Sequence, residues 1–131
     1  MKDYQTRQII LMRKDLRMRK GKIAAQAAHA SMKVFFDRAW KFSPFRCFLL
    51  LMNRDMYFWA TSSFAKICRY CESEKELIRV YKLAKAANLP CALVIDAGRT
   101  EFHGKSTPTC IAVGPADAQK IDDVIGRHPL Y

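Results

Sequence analysis

Apolar and polar positions along this chain alternate with two different periods, and the changes of period divide it into elements. Gln8–Met12 is an apolar run after a polar start and reads as a buried strand. Arg13–Lys20 is a basic loop, broken by Gly21. A helix is expected from Lys22 to Trp40, rich in alanine, a strong helix former that allows close packing on a sheet. Ile23, Ala27, Ala30 and Val34 make one apolar stripe at helical spacing. Lys22, Gln26, His29 and Lys33 make a neighbouring polar stripe, so that Lys22, Gln26 and His29 can face one point.

Ser43-Pro44 marks a break. The aromatic and aliphatic segment Phe45–Ser63 fits neither period well and is read as a second, irregular helix. Phe45, Leu49, Met52 and Met56 give it one apolar face, expected to pack on the sheet, while Phe48 and Leu51 fall outside that face and are expected to meet a second subunit. Ala65–Tyr70 follows as a strand. Ser73-Glu74-Lys75-Glu76 is a capping-box signature opening a helix to about Ala87, with Asn88 suited to its C-terminal cap and Pro90 preventing continuation. Cys91–Ile95 is a strand, Gly98–Pro108 a polar loop and Thr109–Val113 another strand. Gly114-Pro115 leads into a last helix over Ala116–Ile125, stopped by Gly126. The order β-α-(α)-β-α-β-β-α specifies an α/β domain, one sheet layer with helices on both faces.

The 131 residues fit a single domain, and with 50% hydrophobic residues they can bury a proper core. No apolar run is long enough to span a bilayer; Phe48–Trp59 is broken by Asn53, Arg54 and Asp55. Met1–Arg7 lacks the pattern of a secretory leader. The cysteines, at 47, 68, 71, 91 and 110, are odd in number, and the CxxC at Cys68–Cys71 has no second pair to complete a zinc set. Reduced thiols in a cytoplasmic protein without a bound metal are the expectation. The net charge of +11 is uneven: residues 1–46 hold 12 Lys/Arg against 3 Asp/Glu, and the excess gathers at Arg13, Lys14, Arg17, Arg19, Lys20 and Lys22. Such a cluster is a footprint for a polyanion, nucleic acid first and anionic membrane second; a merely solvated charged face is the alternative.

Two short motifs carry candidate chemistry. Lys20-Gly21-Lys22 opens the first helix and combines ammonium groups with free N–H groups, a setting for phosphate or an oxyanion unless the lysines are simply solvated. It lacks the spacing of a P-loop. Asp96-Ala97-Gly98-Arg99-Thr100 ends the apolar strand, where a partly desolvated carboxylate needs a cationic partner; a lysine at the next strand end is the obvious one. The alternative is an ordinary turn aspartate capping nearby backbone. Arg99 adds a cation, and Thr100, Thr107 and Thr109 add hydroxyls. Gln26 can orient the Lys22 ammonium or a water, whereas a lone histidine such as His29 is more often structural. No serine has a GxSxG context.

These residues resemble a known family. Asp15-Leu16…Met18…Lys20-Gly21-Lys22-Ile23-Ala24-Ala25-Gln26-Ala27-Ala28-His29-Ala30 is similar to the DLxMGKGKxAAQ(C/A)(S/A)HA signature of type 2 peptidyl-tRNA hydrolases. Asn88-Leu89-Pro90, Asp96-Ala97-Gly98-Arg99-Thr100-Glu101, Thr107-Pro108-Thr109 and Val113-Gly114-Pro115 resemble its later motifs in the same order. The likeness covers about residues 8–40 and 65–131. It departs at Arg19, which stands where the family has glycine, in the 101–106 loop, and across 41–64.

The resemblance implies a single three-layer α/β/α domain over residues 1–131 with a mixed, mostly parallel four-stranded sheet. It also implies hydrolysis of the peptidyl-tRNA ester, no metal, and a homodimer; no cofactor and no membrane partner are expected. Carried over by position, the site falls on Lys22, Gln26, Asp96, Thr100 and Thr109, with His29 as possible support. Asp96 would orient or deprotonate water, Lys22 would stabilise the oxyanion or keep Asp96 ionised, Thr109 would position water or ester, and Gln26 and Thr100 would be supporting donors. Arg13, Lys14, Arg17, Arg19, Lys20 and Arg99 would contact tRNA phosphates. Two other readings stay open: a non-catalytic RNA-binding adaptor with the same fold, and an interaction module whose aromatic segment docks on a protein or lipid surface.

Overall fold

A computed structural model describes residues 5–98 and 102–131. Its elements run β1 (Thr6–Arg13), α1 (Lys20–Arg38), β2 (Trp40–Phe42), β3 (Cys47–Leu49), α2 (Arg54–Thr61), β4 (Lys66–Cys71), α3 (Glu74–Ala86), β5 (Cys91–Asp96), β6 (Thr107–Asp117) and α4 (Ala118–Ile125). The main sheet has the order β4-β1-β6-β5. β1 and β4 pair parallel, and β6 pairs antiparallel with both β1 and β5. Three strands therefore point one way and β6 points the other, the mixed four-stranded sheet that the family resemblance implies.

Alternation along β1 builds two cores. Ile9 and Leu11 pack with Leu77, Val80 and Ala84 of α3 and Ile121 and Ile125 of α4. Ile10 and Met12 pack with Ala30 and Val34 of α1. Helices thus cover both faces. Ser73 Oγ accepts from Glu76 N–H at 3.1 Å, so the capping box closes α3 as its sequence requires.

β6 departs from regular pairing at two places. Against β5 the register shifts by one residue between Val94 and Ile95, which pair with Cys110 and Pro108, leaving Thr109 as the extra residue. Against β1 it shifts again between Arg7 and Ile9, which pair with Ala116 and Val113, leaving an extra residue at Gly114-Pro115. Both are β-bulges, which bend a strand and re-aim a side chain. Gln8, fully buried opposite the second, donates to the Gly114 carbonyl at 3.1 Å and accepts from Ser31 of α1 at 2.6 Å.

The segment after α1 differs from expectation. It is not one helix from Phe45 to Ser63. Trp40–Phe42 and Cys47–Leu49 form a two-stranded antiparallel hairpin, and the helix begins only at Arg54. Asn53 explains the late start, because its Oδ1 accepts from Met56 N–H at 2.9 Å and fixes the N-cap. The expected apolar face is consequently split. Met56 is buried, but Phe45 and Leu49 lie on the hairpin and are exposed. Trp59 is the buried anchor of α2; its ring stacks on Phe35 of α1 at 5.7 Å and its indole N–H donates to the Ala65 carbonyl at 2.8 Å. At the other margin of the sheet the last residues lie along β4. Tyr70 N–H donates to the Pro129 carbonyl and Tyr131 N–H to the Cys68 carbonyl, each at 3.0 Å.

Two substitutions separate the halves of this aromatic segment. Trp59→Ala is expected to lower unfolding free energy by about 3–5 kcal/mol, as for a large buried aromatic residue. Phe45→Ser, at a position 83% exposed, should stay within about 0.5 kcal/mol of the parent. Urea titrations of both variants check this.

Candidate active site

β1 and β5 point the same way, so the turn from β1 into α1 and the end of β5 meet at one end of the sheet. Lys22 sits in the first turn of α1, and Asp96 is the last residue of β5. Their side chains, 15% and 13% exposed, form an ion pair with Nζ 2.7 Å from Oδ1. The second carboxylate oxygen accepts from Gly98 N–H at 2.8 Å. Gly98 adopts φ +80°, and a Cβ there would sit 2.3 Å from the Lys105 carbonyl oxygen, so only glycine makes this turn.

Gln26, one turn along α1 from Lys22, is 3% exposed. Its amide nitrogen lies 3.4 Å from Asp96 Oδ1, and its amide oxygen accepts a short hydrogen bond from the Thr109 hydroxyl. The bulge explains why Thr109 reaches it. Regular alternation from Cys110 would turn Thr109 to the opposite face; as the extra residue it points with Cys110 toward α1. The Cys110 thiol donates to the Gln26 carbonyl at 3.4 Å. The result is a continuous chain from ammonium through carboxylate and amide to hydroxyl.

The Lys22 ammonium holds the Asp96 carboxyl below its ordinary value, with Gly98 N–H and Gln26 adding to the effect and burial opposing it. Burial pushes the Cys110 thiol up to about 12. At neutral pH it is a packed thiol and not a nucleophile.

The other expected residues are placed unevenly. His29 is exposed and lies outside the chain: it is about 100° around the helix from the buried Ala30, whereas Gln26 is about 40° away. Arg13 is committed within the protein, to Asp15 at 2.7 and 3.2 Å and to the Pro108 carbonyl at 3.0 Å. Lys14 lies over the Tyr70 ring at 4.2 Å. Arg17, Arg19 and Lys20 are exposed around the start of α1. That start has no capping side chain and no carboxylate in its first turn. Arg99 and Thr100 lie outside the described residues. Sequence reasoning missed Phe102, whose ring centroid lies 5.6 Å from the Lys22 ammonium. The Thr109 bulge was likewise unseen; the neighbouring Pro108 was its one local signal. Among the described residues no three His, Cys, Asp or Glu side chains gather as a metal site.

An α/β domain whose strand end carries an ion-paired carboxylate, linked through an amide to a hydroxyl, has the parts of a hydrolytic site. The family model for peptidyl-tRNA hydrolase PTH2 matches residues 6–131. A peptidyl-tRNA hydrolase of Methanopyrus kandleri is 36% identical over 124 residues, covering 95% of this chain and 97% of its own. One from Methanocaldococcus jannaschii is 35% identical over 122 residues, covering 93% and 96%. A solved structure of a protein of unknown function from Agrobacterium shares the fold, with a TM-score of 0.60 at 9% identity over 98% of both chains. The chain belongs to the PTH2 family of peptidyl-tRNA hydrolases.

Replacing Lys22 by Met removes the largest influence holding the Asp96 carboxyl down and leaves burial, which raises it. The Asp96 pKa should therefore rise, read by NMR titration of its carboxyl carbon; an unchanged value would show that Lys22 is not the cause. A carboxyl depressed in the folded state stabilises the fold above its unfolded value, and that contribution is lost as pH falls through the folded value. The parent should thus keep this contribution at neutral pH and lose it only in strong acid.

Proposed function

We propose that the chain hydrolyses the ester joining a peptide to the 3′ ribose of tRNA, releasing free peptide and tRNA. The observation that carries this reading is the Lys22–Asp96–Gln26–Thr109 chain beside an uncapped helix start, in a member of the PTH2 family.

A carboxylate held below its usual range is a poor base at neutral pH. In this reading Asp96 therefore first orients the attacking water as an acceptor. As the ester carbonyl gains negative charge, Lys22 shares its ammonium with the developing oxyanion. Sharing it weakens the hold on Asp96, whose proton affinity rises at the moment the water must lose a proton. Gln26 keeps the carboxylate in position, and Thr109 fixes the amide orientation of Gln26. Thr100 is kept as a supporting donor and Arg99 as a phosphate contact on the resemblance alone. Asp96→Asn should lower turnover of a peptidyl-tRNA by roughly 10²-fold or more. Full activity in that variant would remove Asp96 from the chemistry. Binding of tRNA by the parent without turnover would instead identify a non-catalytic adaptor.

The approach for tRNA is the exposed group Arg17, Arg19 and Lys20, with Arg13 holding the loop through Asp15. Contacts of this kind read phosphates and not bases, so affinity should fall steeply with salt and depend little on tRNA identity. The double variant Arg17→Ala/Arg19→Ala should raise KM more than it lowers kcat. Steady-state kinetics over a salt series check both.

A cytoplasmic setting fits the free state of Cys47, Cys68, Cys71, Cys91 and Cys110. The homodimer rests on the family resemblance and on the sequence expectation that Phe48 and Leu51 meet a second subunit; a purified chain that sediments as a monomer at micromolar concentration would remove it.

A further inference from the structure

The hairpin β2–β3 exposes the apolar side chains that the sequence pattern assigned to a core helix. Trp40, Phe42, Phe45, Phe48, Leu49 and Leu51 are between 45% and 83% exposed. Taking roughly 150–250 Å² for an aromatic side chain, the five without Phe48 present on the order of 550 Å² of apolar surface, at the upper end of the largest patch on a typical monomer. The register orders this surface. Trp40 pairs with Leu49 and Phe42 with Cys47, so these four share one face of the ribbon; Lys41 and Phe48 share the other. Phe48 rests edge-on against Phe36 of α1 at 5.0 Å. The Trp40/Phe42/Cys47/Leu49 face therefore turns away from the protein. Phe45, at the tip, is the most exposed of the large apolar residues described.

Charge selects the occupant. Residues 38–53 carry Arg38, Lys41 and Arg46 and no carboxylate. A second copy seated hairpin to hairpin would set these cations against themselves. A nucleic acid would match the charge but would gain little from the aliphatic Leu49, Leu51 and Met52. An exposed apolar ribbon with cations and no carboxylate in its sequence matches an anionic lipid surface, where aromatic side chains enter the headgroup region while basic side chains meet the phosphates. Position agrees. The hairpin follows the C-terminal end of α1, whose 19 residues set it about 28 Å along the helix from Lys20. Docking there leaves the candidate active site facing away.

We propose that the β2–β3 hairpin is a peripheral docking element for anionic membrane surfaces, with Trp40, Phe42, Phe45, Leu49 and Leu51 entering the interface and Arg46, beside Phe45 at the tip, contacting lipid phosphates. This departs from the sequence expectation of no membrane partner, and it involves no membrane-spanning helix, since none of the described helices is long and apolar enough to cross a bilayer. It is independent of the proposed hydrolase activity.

The chain contains two tryptophans, and only Trp40 is exposed, at 56% against 1% for Trp59. Tryptophan emission thus reports on the hairpin. Adding vesicles of phosphatidylcholine and phosphatidylserine to the full chain should shift emission to the blue and carry the protein into the vesicle pellet. Phosphatidylcholine alone should do neither. Trp40→Phe should abolish the shift and keep sedimentation. Phe45→Ser/Leu51→Ser should reduce vesicle partitioning at least a hundredfold, about the loss expected for two buried apolar side chains. Arg46→Gln should reduce it about fivefold. The Phe45→Ser/Leu51→Ser and Arg46→Gln variants should both keep parental peptidyl-tRNA turnover, which also shows that they fold. Three results would overturn the proposal. One is no vesicle binding by the parent. The second is sedimentation without a Trp40 shift and unaffected by Phe45→Ser/Leu51→Ser, which means simple adsorption through the basic loop. The third is a blue-shifted Trp40 before vesicles are added in a chain that sediments as a dimer, which means that a second copy covers the ribbon.

Discussion

A buried amide left without partners costs about 1–3 kcal/mol, and the seating of α1 on the sheet follows from that penalty. Alanines alone would let this helix slide or roll on the strands with little change in packing. Gln26 forbids it, because its nitrogen must find Asp96 and its oxygen must find Thr109. Gln8 applies the same constraint farther along, through Ser31 of α1 and the Gly114 carbonyl. Each glutamine stands at one of the two bulges of β6. Irregular strand and smooth helix are thus fitted together by two polar clasps, and the position of Lys22 relative to Asp96 depends on both.

That fitting has an electrostatic side. The start of α1 gathers lysines, an uncapped set of backbone N–H groups and nearby arginines, all of one sign. Such a concentration would be unfavourable without a counter-charge, and Asp96 supplies one at the point where the helix meets the sheet. Its own ionisation is secured in return. Phe102 lies beside the pair, its ring centroid 5.6 Å from the Lys22 ammonium. Arg13 shows the same economy, since its pairing with Asp15 and the Pro108 carbonyl ties the loop before α1 to the strand that carries Thr109.

Elements whose pattern rests on one dominant cause were legible in the sequence. The capping box of α3, the apolar strands and the i, i+4 relation of Lys22 and Gln26 all appear where the pattern puts them. The sequence puts Gln26 on a polar stripe beside the apolar one, and only the partners brought by β5 and β6 show why a polar side chain can be buried there. The Thr109 bulge is a pairing irregularity between two strands and leaves almost no mark on either alone. The 40–63 segment failed for a different reason. Its helical spacing at Phe45, Leu49, Met52 and Met56 was accidental, because residue types that favour strands and a proline turn decided the first half and the Asn53 cap decided the second.

The residues lying along β4 give the sheet an asymmetry. An edge strand with free backbone groups is a template for further strands, including those of misfolded neighbours. On the β4 side, Pro129–Tyr131 already occupy hydrogen-bonding positions on Cys68 and Tyr70. The opposite margin of the sheet is β5. Growth of this sheet by strand addition is therefore directional: the β4 margin resists it, while the margin that ends at Asp96 remains the open side for an extended chain.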